Sequence, residues 1–213
     1  MRSGYWYEAK QFAEADGQVA KDIILWHEFR SGRGNPTDLK EFLQRNHDWP
    51  GLPYLKEKGE QVFFESRRDD ILGWFDENPP KSVTAAIIYA DALLEAGNKN
   101  KAELVLQDKW ISEIMDPDLR TLYLKKHDAA LSELHDERAI ELLWRDAFSA
   151  VDELMPLLSE DYKKLVKAVL ALRKYQKEGV NILINRVPET LRDHPVLNFA
   201  RFKWRLQFGY DDR

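Results

Sequence analysis

The chain is predicted to be all-α: a superhelix, or solenoid, of about a dozen helices paired into hairpins. Three observations predict it. Ala86, Tyr89, Ala90, Leu93 and Leu94 fall at i, i+3, i+4, i+7 and i+8, one apolar stripe of a helix. No segment alternates apolar and polar residues with period two; the runs Ala86-Ile87-Ile88 and Ile182-Leu183-Ile184 lie inside helical patterns. Finally, His135–Leu143 reads like Asn98–Leu106, with Ala102 and Ala139 about 37 residues apart, the spacing of helical-hairpin repeats.

The unit around residues 85–106 sets the pattern. Ser82 is the N-cap of its first helix, and Gly97 stops it by taking a left-handed conformation free of a Cβ clash. Asn98–Lys101 form a polar turn. Ala102, Val105 and Leu106 open the second stripe, which reaches Trp110 or a little beyond. Ala86, Ala90 and Ala102 are small enough for two helix backbones to approach closely.

Taken in order, Tyr5–Asp16 reads as a helix ending before Gly17. Gln18–Arg30 is a second helix, with Val19, Ile23, Trp26 and His27 inward. After the loop Ser31–Gly34, Asn35 caps a helix with Pro36 at its first position. That helix reaches Asn46, with Leu39, Phe42 and Leu43 on one face. His47–Pro53 is a stiff connector into a helix from Leu52 to Ser66. Asp69–Glu77 is short and is ended by Asn78-Pro79-Pro80. Asp116 and Pro117 start the helix of Leu119, Leu122, Tyr123 and Leu124. Asp136–Trp144, Ala147–Leu158, Glu160–Gln176, Val180–Val187 and Pro195–Phe208 follow. Gly209–Arg213 reads as a turn into a further helix.

Composition narrows the function. Of 213 residues 32% are charged, and no apolar run approaches the length of a membrane span. The net charge of -5 offers no basic field for nucleic acid. There are no cysteines, so disulfides and thiolate ligands are excluded. The N-terminus lacks the apolar core of a signal peptide, which fits either a cytoplasmic chain or one whose signal has been removed.

No constellation carries chemistry. His27, His47, His127, His135 and His194 show no i,i+3 or i,i+4 pairing, so a zinc motif is not expected, and each reads as a surface or half-buried residue. Ser31-Gly32-Arg33-Gly34 lacks a phosphate-loop lysine. Asp69-Asp70 and Asp211-Asp212 are adjacent, and adjacent helix residues diverge, so neither is a glycosidase carboxylate pair. Lys163, Lys164, Lys167, Arg173, Lys174 and Lys177 make Glu160–Gln176 basic opposite Leu165, Val166, Val169 and Leu172, a solvated face or a patch for an anionic polymer. The tryptophans, Trp6, Trp26, Trp49, Trp74, Trp110, Trp144 and Trp204, read as inter-helix packing. Trp49 is the best candidate for a sugar-stacking exception. No catalytic residue, cofactor or metal ligand is expected.

Asn46-His47-Asp48-Trp49-Pro50-Gly51-Leu52, with Phe42-Leu43 before it and Glu57 to Glu60 after it, resembles a turn in the N-terminal superhelical region of bacterial soluble lytic murein transglycosylases. Leu142-Leu143-Trp144-Arg145 and His194–Arg205 resemble two of that region's helices. The likeness spans about Leu39 to Arg213. It implies that residues 1–213 are one α-superhelical, U-type domain, followed in the family by a lysozyme-like domain whose catalytic glutamate cleaves peptidoglycan. That glutamate belongs to a Glu-Ser pair followed by Gly-Leu-Met-Gln. Here Glu65-Ser66 is followed by Arg67-Arg68, and no Gly-Leu-Met-Gln occurs, so catalysis is not assigned to Glu65. The resemblance thus implies a non-catalytic periplasmic module with peptidoglycan and the C-terminal catalytic domain as partners, and without nucleic acid or a membrane span. The alternative function is a tetratricopeptide-like protein–protein interaction scaffold, and the alternative localisation is cytoplasmic.

Overall fold

A computed structural model describes residues 5–209. Among them the chain is all-helical. The helices are α1 Trp6–Ala15, α2 Gln18–Arg30, α3 Pro36–Arg45, α4 Leu52–Gly59, α5 Arg68–Phe75, α6 Val83–Glu95, α7 Lys99–Ser112, α8 Pro117–Leu131, α9 His135–Trp144, α10 Phe148–Leu154, α11 Glu160–Arg173, α12 Val180–Asn185 and α13 Pro195–Phe208. Four short 3-10 turns punctuate them. Most helices pack on neighbours in the chain, as hairpins do: α1 on α2, α2 on α3 and α4, α5 on α6, α9 on α10, and α11 on α12 and α13. No helix is long and apolar enough to cross a membrane among the described residues.

Contacts gather the chain into two compact units, one ending at Leu106 and the other beginning at Gln107. The division falls inside α7, where no linker composition marks it.

The helix boundaries follow from local chemistry. Asn35 Oδ1 accepts from the Asp38 amide at 2.9 Å, with Pro36 in the first turn of α3. Ser82 Oγ accepts from the Ala85 amide at 3.1 Å, and Asp116 from Leu119 at 2.9 Å. At the end of α6 the Asn98 amide donates back to Leu93 O and the Gly97 amide to Leu94 O, at 2.8 and 3.0 Å, with Gly97 at φ +80°. This is a Schellman motif, and it satisfies the last carbonyls of the helix. Ala86, Tyr89, Ala90 and Leu93 are buried, as the stripe requires, while Leu94 is exposed. Ala102 and Ala139, the paired alanines of the repeat, are both fully buried.

Four expectations need correction. On α2 the inward residues are Asp22, Glu28 and Phe29, whereas Val19 and Ile23 are 68% and 43% exposed. Polar residues face inward there because other helices neutralise them. Arg45 on α3 bonds Asp22 at 3.0 Å and Lys10 on α1 reaches Glu28 at 2.8 Å. The helix expected from Leu52 to Ser66 is α-helical only to Gly59 and tightens to a 3-10 turn over Glu60–Phe63. Gly59 sits where a Cβ would lie 2.9 Å from Leu39 Cδ2, and Glu60 points its carboxylate at the start of α6. The helix expected over Ala147–Leu158 ends at Leu154, where Met155–Leu157 form another 3-10 turn around Pro156. Finally, His127 and His135 are buried rather than superficial, packed edge-on against Tyr123 and Trp110. The turn expected after Phe208 begins at Gly209, whose φ of +70° ends α13; its continuation over 210–213 lies outside the described residues.

Candidate functional site

In the first unit the turn between α3 and α4 is built by the residues that make it distinctive. Trp49 meets the buried ring of Phe42 edge-on at 5.4 Å, which orients the turn against the core. Trp26 Nε1 on α2 donates to Pro50 O at 3.1 Å. Gly51 has φ +73°, a left-handed conformation that lets the chain reverse into α4. Leu52 and Pro53 then begin the helix and form part of the wall of a groove.

Two cavities, of about 480 and 360 Å³, share Lys56, Trp74, Glu77 and Asn78 and so form that groove. Lys40, Leu43 and Gln44 of α3 line the larger one. Leu52, Pro53, Glu57 and Glu60 line the smaller. Trp74 is only 4% exposed and stacks on Phe63 with centroids 4.6 Å apart. Its Nε1–H finds no hydrogen-bond partner among the described residues. Asn78 is fixed by donating to Trp74 O at 3.2 Å and accepting from Lys56 Nζ at 3.1 Å. The groove therefore combines ammonium groups, an amide, carboxylates and apolar side chains, the donor and acceptor mixture that suits a polar, uncharged or zwitterionic chain.

It does not have the geometry of a hydrolytic centre. Glu57 and Glu77 are exposed at the rim, and Glu57 pairs with Lys58 at 3.3 Å. Glu60 is buried, but its two oxygens accept from the Lys81 amide, the Ser82 amide and Ser82 Oγ at the N-terminus of α6. A general acid for glycoside cleavage needs a buried, otherwise unengaged carboxyl group, and none of the described residues lining this groove supplies one. Glu65 lies exposed in the turn after the 3-10 segment, and Ser66 Oγ donates to Val62 O at 3.1 Å, a local turn contact.

The histidines stay apart: no group of three or more His, Asp or Glu able to hold a metal occurs among the described residues. The basic face of α11 is largely neutralised. Lys163 pairs with Glu160 at 2.8 Å, Lys164 with Asp161 at 3.0 Å, Lys174 with Asp152 at 3.5 Å, and Arg173 with Asp146. Trp74 and Trp110 are buried as packing residues, and Trp49 is half-buried; Trp144, at 42% exposed, is open instead.

No protein-family model, no curated protein and no solved structure matches the chain.

Proposed function

We propose that this chain is a non-catalytic helical module of a soluble lytic murein transglycosylase, which positions peptidoglycan glycan strands for a catalytic domain elsewhere in the same protein, in the periplasm. One observation carries the reading. The Asp48–Leu52 turn, whose residues carry the resemblance to that family, runs directly into the wall of the groove between α3, α4 and α5. A groove with amide, ammonium and carboxylate groups at its edges can hold an N-acetylated sugar chain by exchanging hydrogen bonds with its hydroxyl and acetamido groups.

Co-sedimentation with purified peptidoglycan sacculi tests this. The chain should pellet with sacculi, leave no cleared band on a peptidoglycan zymogram, and lose most of its pelleting when Lys40 and Lys56 are both changed to Glu. Failure to pellet would reject the glycan reading. A cleared band would reject the non-catalytic one.

A second reading is a tetratricopeptide-like protein scaffold. The Schellman turn at Gly97 and the buried alanines Ala86, Ala90 and Ala102 favour it, since close-packed hairpins of this kind also build peptide-binding surfaces. A pelleting defect coupled with stable capture of a defined protein partner would favour this reading.

A further inference from the structure

The second unit holds a cavity of about 240 Å³ between α11, α12 and α13. Leu172, Val180 and Ile184 supply its apolar wall and Trp204 an aromatic one, while the polar lining is Asn181, Arg201 and Arg205. Among the described residues no carboxylate lines it.

The arginines are what call for a ligand. Neither Arg201 nor Arg205 makes an ion pair with a carboxylate among the described residues. Arg201 Nη1 has only two long contacts, both 3.4 Å and both to neutral acceptors: Arg192 O and Asn198 Oδ1. Arg192 itself turns away to donate to Val187 O at 3.3 Å. Burial holds the Arg201 guanidinium below its usual pKa, and the charges of Arg205 and Arg192 push the same way against the single opposing influence of Asp193. Elsewhere in this unit Arg173 is paired with Asp146, Arg120 with Glu153 and Lys174 with Asp152, and the buried Arg138 is bonded to main-chain carbonyls. Like charges gathered at a cavity without a counter-charge are destabilising unless an anion is seated among them.

We infer that this cavity binds a small ligand carrying a carboxylate or phosphate group, the oxyanion held by Arg201 and Arg205 and its apolar or ring face set against Trp204 and Ile184. Guanidinium groups recognise planar oxyanions through paired N–H donors, and Asn181 adds an amide beside them. The volume fits a body of monosaccharide or amino-acid size rather than a long chain. The indole is fixed for this purpose, because Trp204 Nε1 donates to Gln176 O at 2.8 Å. This assignment is independent of the glycan reading, which concerns the groove of the first unit.

Calorimetric titration of the full chain with three probes tests it: glucose 6-phosphate, N-acetylmuramic acid and neutral N-acetylglucosamine. Saturable binding of one or both charged probes, with none of the neutral sugar, is expected. Which charged probe binds identifies phosphate or carboxylate as the source. Arg205 is exposed, so Arg205→Gln leaves the fold intact and should weaken binding about tenfold, the effect of one lost charge-assisted contact. Arg201→Lys keeps the charge but loses the fork and should also weaken it. Inorganic phosphate should compete. No saturable binding of either charged probe, equal binding of the neutral sugar, or unchanged affinity in folded Arg205→Gln would each overturn the assignment.

Discussion

The guanidinium of Arg138 donates to the main-chain carbonyl of Trp110 and lies 4.2 Å from the centroid of the same residue's indole ring. A second bond runs from Arg138 Nη1 to Glu113 O at 2.9 Å, and Arg145, the residue that follows α9, donates to Ser112 O. Two arginines, one within α9 and one at its end, thus close the C-terminal end of α7, where unpaired carbonyls and the negative end of the helix dipole await a cation. Arg138 is 1% exposed, and burial lowers its pKa to about 10, so it remains protonated at neutral pH.

Arg138 is accordingly the position in the second unit where substitution should cost most. Arg138→Ala removes the buried donors, strands carbonyls at the end of α7 and leaves a cavity beside Trp110. We expect a loss of about 3 kcal/mol or more, read as a lowered urea midpoint. Arg138→Lys should recover less than half, because an ammonium group cannot reach both carbonyls and stack on the indole. A midpoint within about 0.5 kcal/mol of wild type for Arg138→Ala would refute this role.

Acid should weaken the fold in two separate windows. His135 sits below its usual pKa through burial, with Asp128 and Asp136 opposing and Arg138 adding to the shift. His194 is lowered by burial, and its Nδ1 accepts from the Val196 amide at 3.3 Å, a cap that protonation abolishes. A histidine with a depressed folded pKa takes up its proton first in the unfolded chain. Stability is therefore full above about pH 6.5 and declines as pH falls below that, levelling once the folded state also protonates. Asp22 and Asp76 are lowered as well. Burial works against the Asp22 shift, while Arg45, Asn46 and Gln18 produce it; Tyr89 and Lys101 produce that of Asp76. Their contribution is present above about pH 3.9 and is lost below it. Urea midpoints at pH 7.5 and 5.0 isolate the histidines. The difference should shrink by at least half in His135→Gln/His194→Asn, and an unchanged difference would dismiss both groups.

The features legible in the sequence were those fixed within one turn of chain. Asn35, Ser82, Asp116, Pro36 and Gly97 each act on backbone groups two to four residues away, so their roles follow from spacing alone. What remained hidden depends on partners brought from other helices. Asp22 reads as a solvent residue until Arg45 of α3 arrives beside it, and Arg138 reads as a surface cation until the end of α7 is placed against it. The groove and the arginine cavity are hidden for the same reason: Lys40, Trp74 and Asn78, like Asn181 and Arg205, carry no common motif and meet only through helix packing.

Glycines at two helix positions should respond to alanine for different reasons. Gly59 has ordinary helical angles, so alanine there raises intrinsic helix propensity by up to about 1 kcal/mol. Its new methyl group would meet Leu39 Cδ2 at 2.9 Å, inside a core where Leu39 is fully buried. Overpacking of this kind costs about 1–3 kcal/mol, so a net loss is expected. Gly97 has open space around its missing Cβ but φ +80°, and Gly97→Ala should cost about 1 kcal/mol through backbone conformation alone. Leu39→Val in the Gly59→Ala background should restore part of the first loss and none of the second. Thermal unfolding of the single and combined variants distinguishes these outcomes, and stabilisation by Gly59→Ala would contradict the packing described.

The carboxylate of Glu60 joins the 3-10 turn after α4 to the beginning of α6, and this link holds together the walls of the groove. Its oxygens accept from Lys81 N, Ser82 N and Ser82 Oγ, the last two at 3.1 and 3.0 Å, while Ser82 Oγ in turn caps Ala85. A negative charge at this point also complements the positive end of the α6 dipole. Glu60→Gln keeps the shape but turns one acceptor oxygen into a donor that faces amide hydrogens. The loss should be about 2 kcal/mol, in the range for a buried hydrogen bond to a charged group. Ser82→Ala removes one donor to Glu60 and the cap on Ala85, and should cost about 1 kcal/mol. Because both changes break the same chain of bonds, the double variant should lose less than the sum of the two. A double-mutant cycle measured by urea denaturation gives the coupling directly, and strict additivity would mean that Glu60 and Ser82 act independently.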